Sequence, residues 1–134
     1  MSLRLYLVED SPIMVALLRE LLDGSSPALS IVGQSGKAPI AIDEIFRLAP
    51  DAIIVDIALE DGSGFDLLRA LEERRATYRP FTFVLSNFAT ERFRDEALRL
   101  GADYFFDKNG EILGLIKAVI SCAEGTLKRN GSHG

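Results

Sequence analysis

Five short apolar runs alternate with five helical patterns along this chain, and that order leaves few ways to fold. The runs fall at residues 4–8, 29–34, 52–56, 81–86 and 104–107, and the helical patterns at 11–22, 39–48, 64–74, 90–100 and 111–127. Continuous apolar runs mark strands buried on both faces. Strict βα alternation then implies right-handed crossovers and an α/β fold, a parallel sheet covered by helices on both faces. In the first helix Ile13, Met14, Leu17, Leu18, Leu21 and Leu22 form one apolar stripe at helical spacing. Pro12 at its start and Gly24 past its end follow the usual helix asymmetry. The last helix is expected to bury Ile112, Leu115, Ile116, Val119 and Ile120.

With 134 residues, 48% hydrophobic and 26% charged, the chain is sized for one domain with a core. No repeat or linker divides it, so residues 1–128 are expected to form the domain and 129–134, polar and glycine-rich, a disordered tail. A net charge of −5 argues against nucleic acid or an anionic membrane as a direct partner. No apolar stretch approaches the roughly 18–20 residues that span a bilayer, and the N-terminus lacks the pattern of a secretory signal. The single cysteine, Cys122, falls in a helical apolar pattern and reads as a core residue. A reducing cytoplasm fits.

Several sites are excluded by what the turns lack. The first βα turn, Val8-Glu9-Asp10-Ser11-Pro12, has no glycine-rich cradle and would repel a pyrophosphate. A P-loop is absent as well. The only histidine, His133, lies in the tail, so there is no material for a hydrolytic triad.

What the strand ends do carry is oxygen and charge. The first run ends in Glu9 and Asp10, the third in Asp56, the fourth in Ser86, and Lys108 follows the fifth. In an open α/β sheet these positions meet at one edge. Three carboxylates held together ask for a metal ion or a shared proton, and as metal ligands their oxygens suit Mg²⁺ rather than zinc. A metal, a lysine and a hydroxyl suit a phosphoryl group, with Asp56 as a nucleophile able to form an acyl phosphate. Taken singly, each residue has a plainer reading. Asp10 or Ser11 caps the first helix, Asp56 begins a turn, Ser86 caps the fourth helix, and Lys108 is a solvated charge.

The segments Leu7-Val8-Glu9-Asp10-Ser11-Pro12, Ile54-Val55-Asp56-Ile57, Val84-Leu85-Ser86-Asn87 and Phe105-Phe106-Asp107-Lys108 resemble, in order and spacing, the receiver domain of two-component response regulators. The resemblance covers residues 3–127. It implies a doubly wound, flavodoxin-like sheet of order 2-1-3-4-5. By the same resemblance Asp56 is the phosphoacceptor, served by a sensor histidine kinase or a phosphotransfer protein. Glu9, Asp10, Asp56 and the backbone carbonyl of Ala58 would hold Mg²⁺, Lys108 would pair with the phosphoryl group, and Ser86 and Phe105 would be the switch residues. The switched surface would be helix four, strand five and helix five, facing a downstream protein or a second receiver. No chemistry beyond Mg²⁺-dependent self-phosphorylation and autodephosphorylation is expected, and no output domain within these residues.

Five positions depart from the family pattern. Asn109 replaces a common cis-proline, so a trans peptide or an altered loop is expected there. Asn87 is larger than the usual alanine or glycine. Phe105 lacks the hydroxyl of a tyrosine. Ala58 and Phe88, two residues beyond Asp56 and Ser86, cannot orient a water, which predicts a long-lived phosphorylated state. The mixed-charge helix bearing Arg92, Arg94 and Arg99 reads as a solvated face, with Phe93 as a core residue. Two rival readings stand beside this one. A Mg²⁺-dependent phosphohydrolase would want a second acid where Ala58 stands, and a degenerate receiver would not need the full acid, hydroxyl and lysine set.

Overall fold

The computed structural model describes residues 2–127 and Arg129. Its strands are β1 (Leu3–Val8), β2 (Leu29–Ser35), β3 (Ala52–Val55), β4 (Phe81–Ser86) and β5 (Tyr104–Asp107), and its helices α1 (Pro12–Leu22), α2 (Ala38–Leu48), α3 (Gly64–Glu73), α4 (Glu91–Arg99) and α5 (Ile112–Ala123). All pairings are parallel, in the order β2-β1-β3-β4-β5. The expected doubly wound sheet is therefore the observed one.

Alternate residues of the central strands feed two separate cores. Leu5, Leu7, Ile54, Phe83 and Leu85 pack against Leu18 and Leu22 of α1 and Leu115, Ile116, Val119 and Cys122 of α5. Tyr6, Val8, Ile53, Val55, Val84 and Phe105 face α2, α3 and α4 through Ala41, Ile45, Leu67, Leu68, Leu71 and Ala97. Each fully buried aliphatic side chain contributes about 1.5–3 kcal/mol of transfer free energy. Burial on both faces explains why the strands read as unbroken apolar runs. The β1–β2 pairing slips by one residue after Leu5, where Gly33 lies opposite Tyr6. A Cβ on Gly33 would lie 2.7 Å from the Tyr6 ring, so the bulge and the glycine make room for that buried aromatic.

Capping residues set the helix starts that face the site. Ser11 Oγ accepts from the Met14 amide at 3.2 Å, and Thr90 Oγ1 from the Phe93 amide at 3.2 Å. Ser63 and Asp66 form a reciprocal capping box at α3.

Three expectations need correction. Ile13, assigned to the apolar stripe of α1, is 83% exposed, because five residues of helix turn it well away from the side on which Leu18 and Leu22 are buried. The last helix ends at Ala123 rather than 127, since Gly125 adopts φ +78° and stops it. Arg129, expected in the tail, donates to Asp103 Oδ2 at 3.2 Å and lies 4.2 Å over the Phe81 ring. The rest of that tail, His133 included, falls outside the described residues. Cys122 is buried and free, as expected. No helix among the described residues is long and apolar enough to cross a membrane.

Candidate functional site

Register brings the strand ends level. Val8 pairs with Val55, Val55 with Val84, and Ser86 with Asp107. Backbone bonds carry the ladder one residue further: Asp56 N to Val8 O at 2.9 Å and Lys108 N to Ser86 O at 3.0 Å. The side chains of Glu9, Asp10, Asp56, Ser86 and Lys108 therefore emerge at the carboxyl edge of four adjacent strands.

Carboxylate oxygens of Glu9, Asp10 and Asp56 lie within 4.8 Å of one another. Glu9 and Asp56 are buried, while Asp10 is exposed. Lys108 Nζ bridges the two buried acids, 2.8 Å from Glu9 Oε1 and 2.8 Å from Asp56 Oδ2. The lysine is no solvated charge; its side chain is 8% exposed. Burial pulls its ammonium towards neutrality, but hydrogen bonds to Asp56 and Glu9 outweigh this and hold its pKa above the ordinary value. Burial likewise pushes the Glu9 carboxyl up; the Lys108 bond and the Ser11 amide oppose it, and the Asp56 charge adds to it. The two shifts differ in cause: contact with two carboxylates raises Lys108, while burial leads the rise in Glu9.

Three carboxylates against one ammonium leave two negative charges, which matches one divalent cation. The donors are hard oxygens from buried and exposed acids together, the type that suits Mg²⁺ and leaves room for its waters. The acidic cluster can thus hold a metal. Beside it, the Ala58 amide donates to Asp56 Oδ1 at 3.3 Å, and Ala58 bridges to Ser63, fixing the loop after β3.

Ser86 is fully buried and does not cap α4; that is done by Thr90. Its Oγ accepts from the Phe88 amide at 3.0 Å. Phe88 is 51% exposed and meets Phe93 edge-on, and Phe93 meets Phe65 in the same way. Phe93 is half-buried between them. Phe105 points inward and is 6% exposed. No cis peptide occurs among the described residues, in keeping with Asn109 after Lys108.

Two glycines support the acids, and sequence reasoning passed over that role. A Cβ on Gly64 would sit 2.3 Å from the Asp56 carbonyl oxygen and 2.9 Å from Ile57 Cα. A Cβ on Gly36 would sit 2.7 Å from Asp10 Cα. Both lie in turn-rich stretches, but which backbone they touch depends on crossovers the sequence does not display.

Comparison with known proteins bears on this geometry. The family model described as response regulator receiver domain matches residues 5–120. The uncharacterized transcriptional regulatory protein YvfU of Bacillus subtilis is 28% identical over 92% of this chain and 60% of its own length. A protein-glutamate methylesterase/protein-glutamine glutaminase of Rhizobium etli is 35% identical over 74% of this chain and 28% of its own. The chain thus spans less than two thirds of the length of each of these curated relatives. Among solved structures, the response regulator domain of Thermotoga maritima CheB superposes with a TM-score of 0.79 at 22% identity, covering 94% of this chain and 96% of that one. The receiver domain of a putative Luxo repressor protein from Vibrio parahaemolyticus gives 0.82 at 22% identity, covering 94% and 93%. These likenesses speak for the fold.

Proposed function

This chain belongs to the response regulator receiver domain family of two-component systems, and from that premise we propose that Asp56 is its phosphoacceptor. The observation that carries the proposal is the bridging of Asp56 and Glu9 by Lys108 beside a three-carboxylate cluster. The donor is a phosphohistidine of a sensor kinase or a phosphotransfer protein. An Asp56 carboxylate oxygen attacks phosphorus, an O–P bond forms, the N–P bond breaks, and the imidazole leaves with the electron pair and takes up a proton from water.

Glu9, Asp10, Asp56 and the Ala58 carbonyl would hold Mg²⁺, which when bound supplies positive charge to the transferring phosphoryl oxygens. Lys108 keeps its proton and moves from pairing the acids to pairing the phosphoryl group. Ser86 exchanges the Phe88 amide for a phosphoryl oxygen. That exchange, with Phe105, biases the surface of α4, β5 and α5, where a downstream protein or a second receiver docks. The site lies in the cytoplasm, where such donors work, and the chain itself catalyses nothing beyond its own phosphorylation and dephosphorylation.

The test is Mg²⁺-dependent capture of beryllofluoride or acetyl phosphate. Uptake by the native chain and none by Asp56→Asn is the expected result. No uptake by the native chain, or equal uptake by the variant, overturns the proposal.

A further inference from the structure

Among the arginines of α4, Arg94 makes contacts that a solvated face does not need. Its Nη1 donates to the Phe105 carbonyl at 2.9 Å, and its guanidinium carbon lies 4.9 Å from the centre of the Phe105 ring. Its other nitrogen is 3.8 Å from Glu111 Oε1, at the N-cap of α5. That same oxygen accepts from the Asp107 amide at 2.7 Å, one residue before Lys108. A single side chain of α4 therefore holds β5 and the start of α5 together.

The rest of α4 is weakly held. Only Ala97 is buried among its residues, and Phe93 and Leu98 are partly buried. A helix with so small an apolar face depends on what else ties it to the sheet. The guanidinium also lies over the Phe105 ring. For Phe105 to turn outward, it must leave the guanidinium that the bond to its own backbone carbonyl holds in place. Phenylalanine offers no hydroxyl to recover that loss with a hydrogen bond outside.

We propose that Arg94 is a latch that holds Phe105 inward before any phosphoryl group arrives, so that this side chain, rather than Asp56 alone, sets the α4–β5–α5 surface. The consequence for signalling rests on the receiver reading above; the latch does not. Arg94 is a positioning residue: it touches no reacting atom and acts through Phe105.

The test is fluorine NMR of the whole chain with 4-fluorophenylalanine at position 105, in metal-free, phosphate-free buffer. Independence from Asp56 chemistry separates its failure from that of the phosphoacceptor proposal. The native protein should give one solvent-shielded resonance. In Arg94→Ala the ratio of outward to inward ring should rise about tenfold, through loss of the guanidinium–ring contact that only the inward ring makes. Arg94→Lys, keeping a cation and a donor but not the planar stack, should recover part of the shielding. Glu111→Gln, whose amide oxygen still accepts from Asp107, should look native. If Arg94→Ala does not fold, Arg94→Gln takes its place with the same expectation. Equal shielding in native and Arg94-substituted protein overturns the latch, as does a ring freed equally by Glu111→Gln.

Discussion

Lys108 Nζ stands 2.8 Å from Asp56 Oδ2, across 52 positions of sequence, with both side chains almost wholly buried. One ammonium serving two buried carboxylates is a strained allotment of charge. Removing it leaves Glu9 and Asp56 facing each other without a counter-ion. Lys108→Ala should therefore lose about 3 kcal/mol of stability in urea unfolding, the usual penalty for breaking a buried pair. A loss under about 0.5 kcal/mol would mean that water already screens the acids.

Supplying a divalent cation should act in the opposite direction. Mg²⁺ at a hundredfold excess over its dissociation constant should stabilise the native fold by about 2.7 kcal/mol, and a chelator should reverse this. Asp10→Asn and Asp56→Asn should each shrink the gain, because each removes one of the three clustered carboxylates. A melting temperature equally raised by Mg²⁺ in all three proteins would show that the ion binds elsewhere.

Ala58 and Phe88 offer no group to orient a hydrolytic water, so the acyl phosphate should outlast minutes. Ala58→Glu places a carboxylate beside Asp56 and should speed the loss of phosphate by about a hundredfold, the lower range of general-base catalysis. Phe88→Ala tests shielding instead and should speed it by less. Decay of the native phospho-form within seconds, followed on acid-urea gels, would refute this reading.

Gly64 touches the site only through the backbone. The Cβ of Gly64→Ala would overlap the Asp56 carbonyl oxygen, 2.3 Å away, so α3 or the end of β3 must shift. The expected cost is about 1–3 kcal/mol, with beryllofluoride uptake weakened although all three acids remain. Native uptake and stability in that variant would show that α3 adjusts freely.

Alkaline pH should expose the burial of Cys122. Burial pushes its thiol up to about 11 from an ordinary 9.0, so the unfolded chain sheds that proton first. Stability from this group is whole below pH 9.0 and is lost as pH rises through about 11. Thiolate absorbance should report a midpoint near 11 in the folded protein. Iodoacetamide at pH 8 should react slowly until denaturant is added.

The order of residues alone determined a great deal. Apolar runs buried on both faces must be strands, alternation with helices forces a parallel sheet, and a parallel sheet brings strand ends to one edge. That chain of constraints placed Glu9, Asp10, Asp56, Ser86 and Lys108 together, because each step depends on local periodicity and on the handedness of crossovers. What tertiary structure decided is where long-range contacts compete. Whether Lys108 was solvated or buried depended on β5 lying two strands from Asp56. Ile13 was counted in the helical stripe yet lies exposed, since Leu18 and Leu22 turn another side of α1 to the sheet. Arg94 looked like one charge among many until β5 came within its reach. Gly36 and Gly64 gained their importance from backbones that pack against them after folding. Periodicity records which face a residue takes, but not which distant group will meet it there.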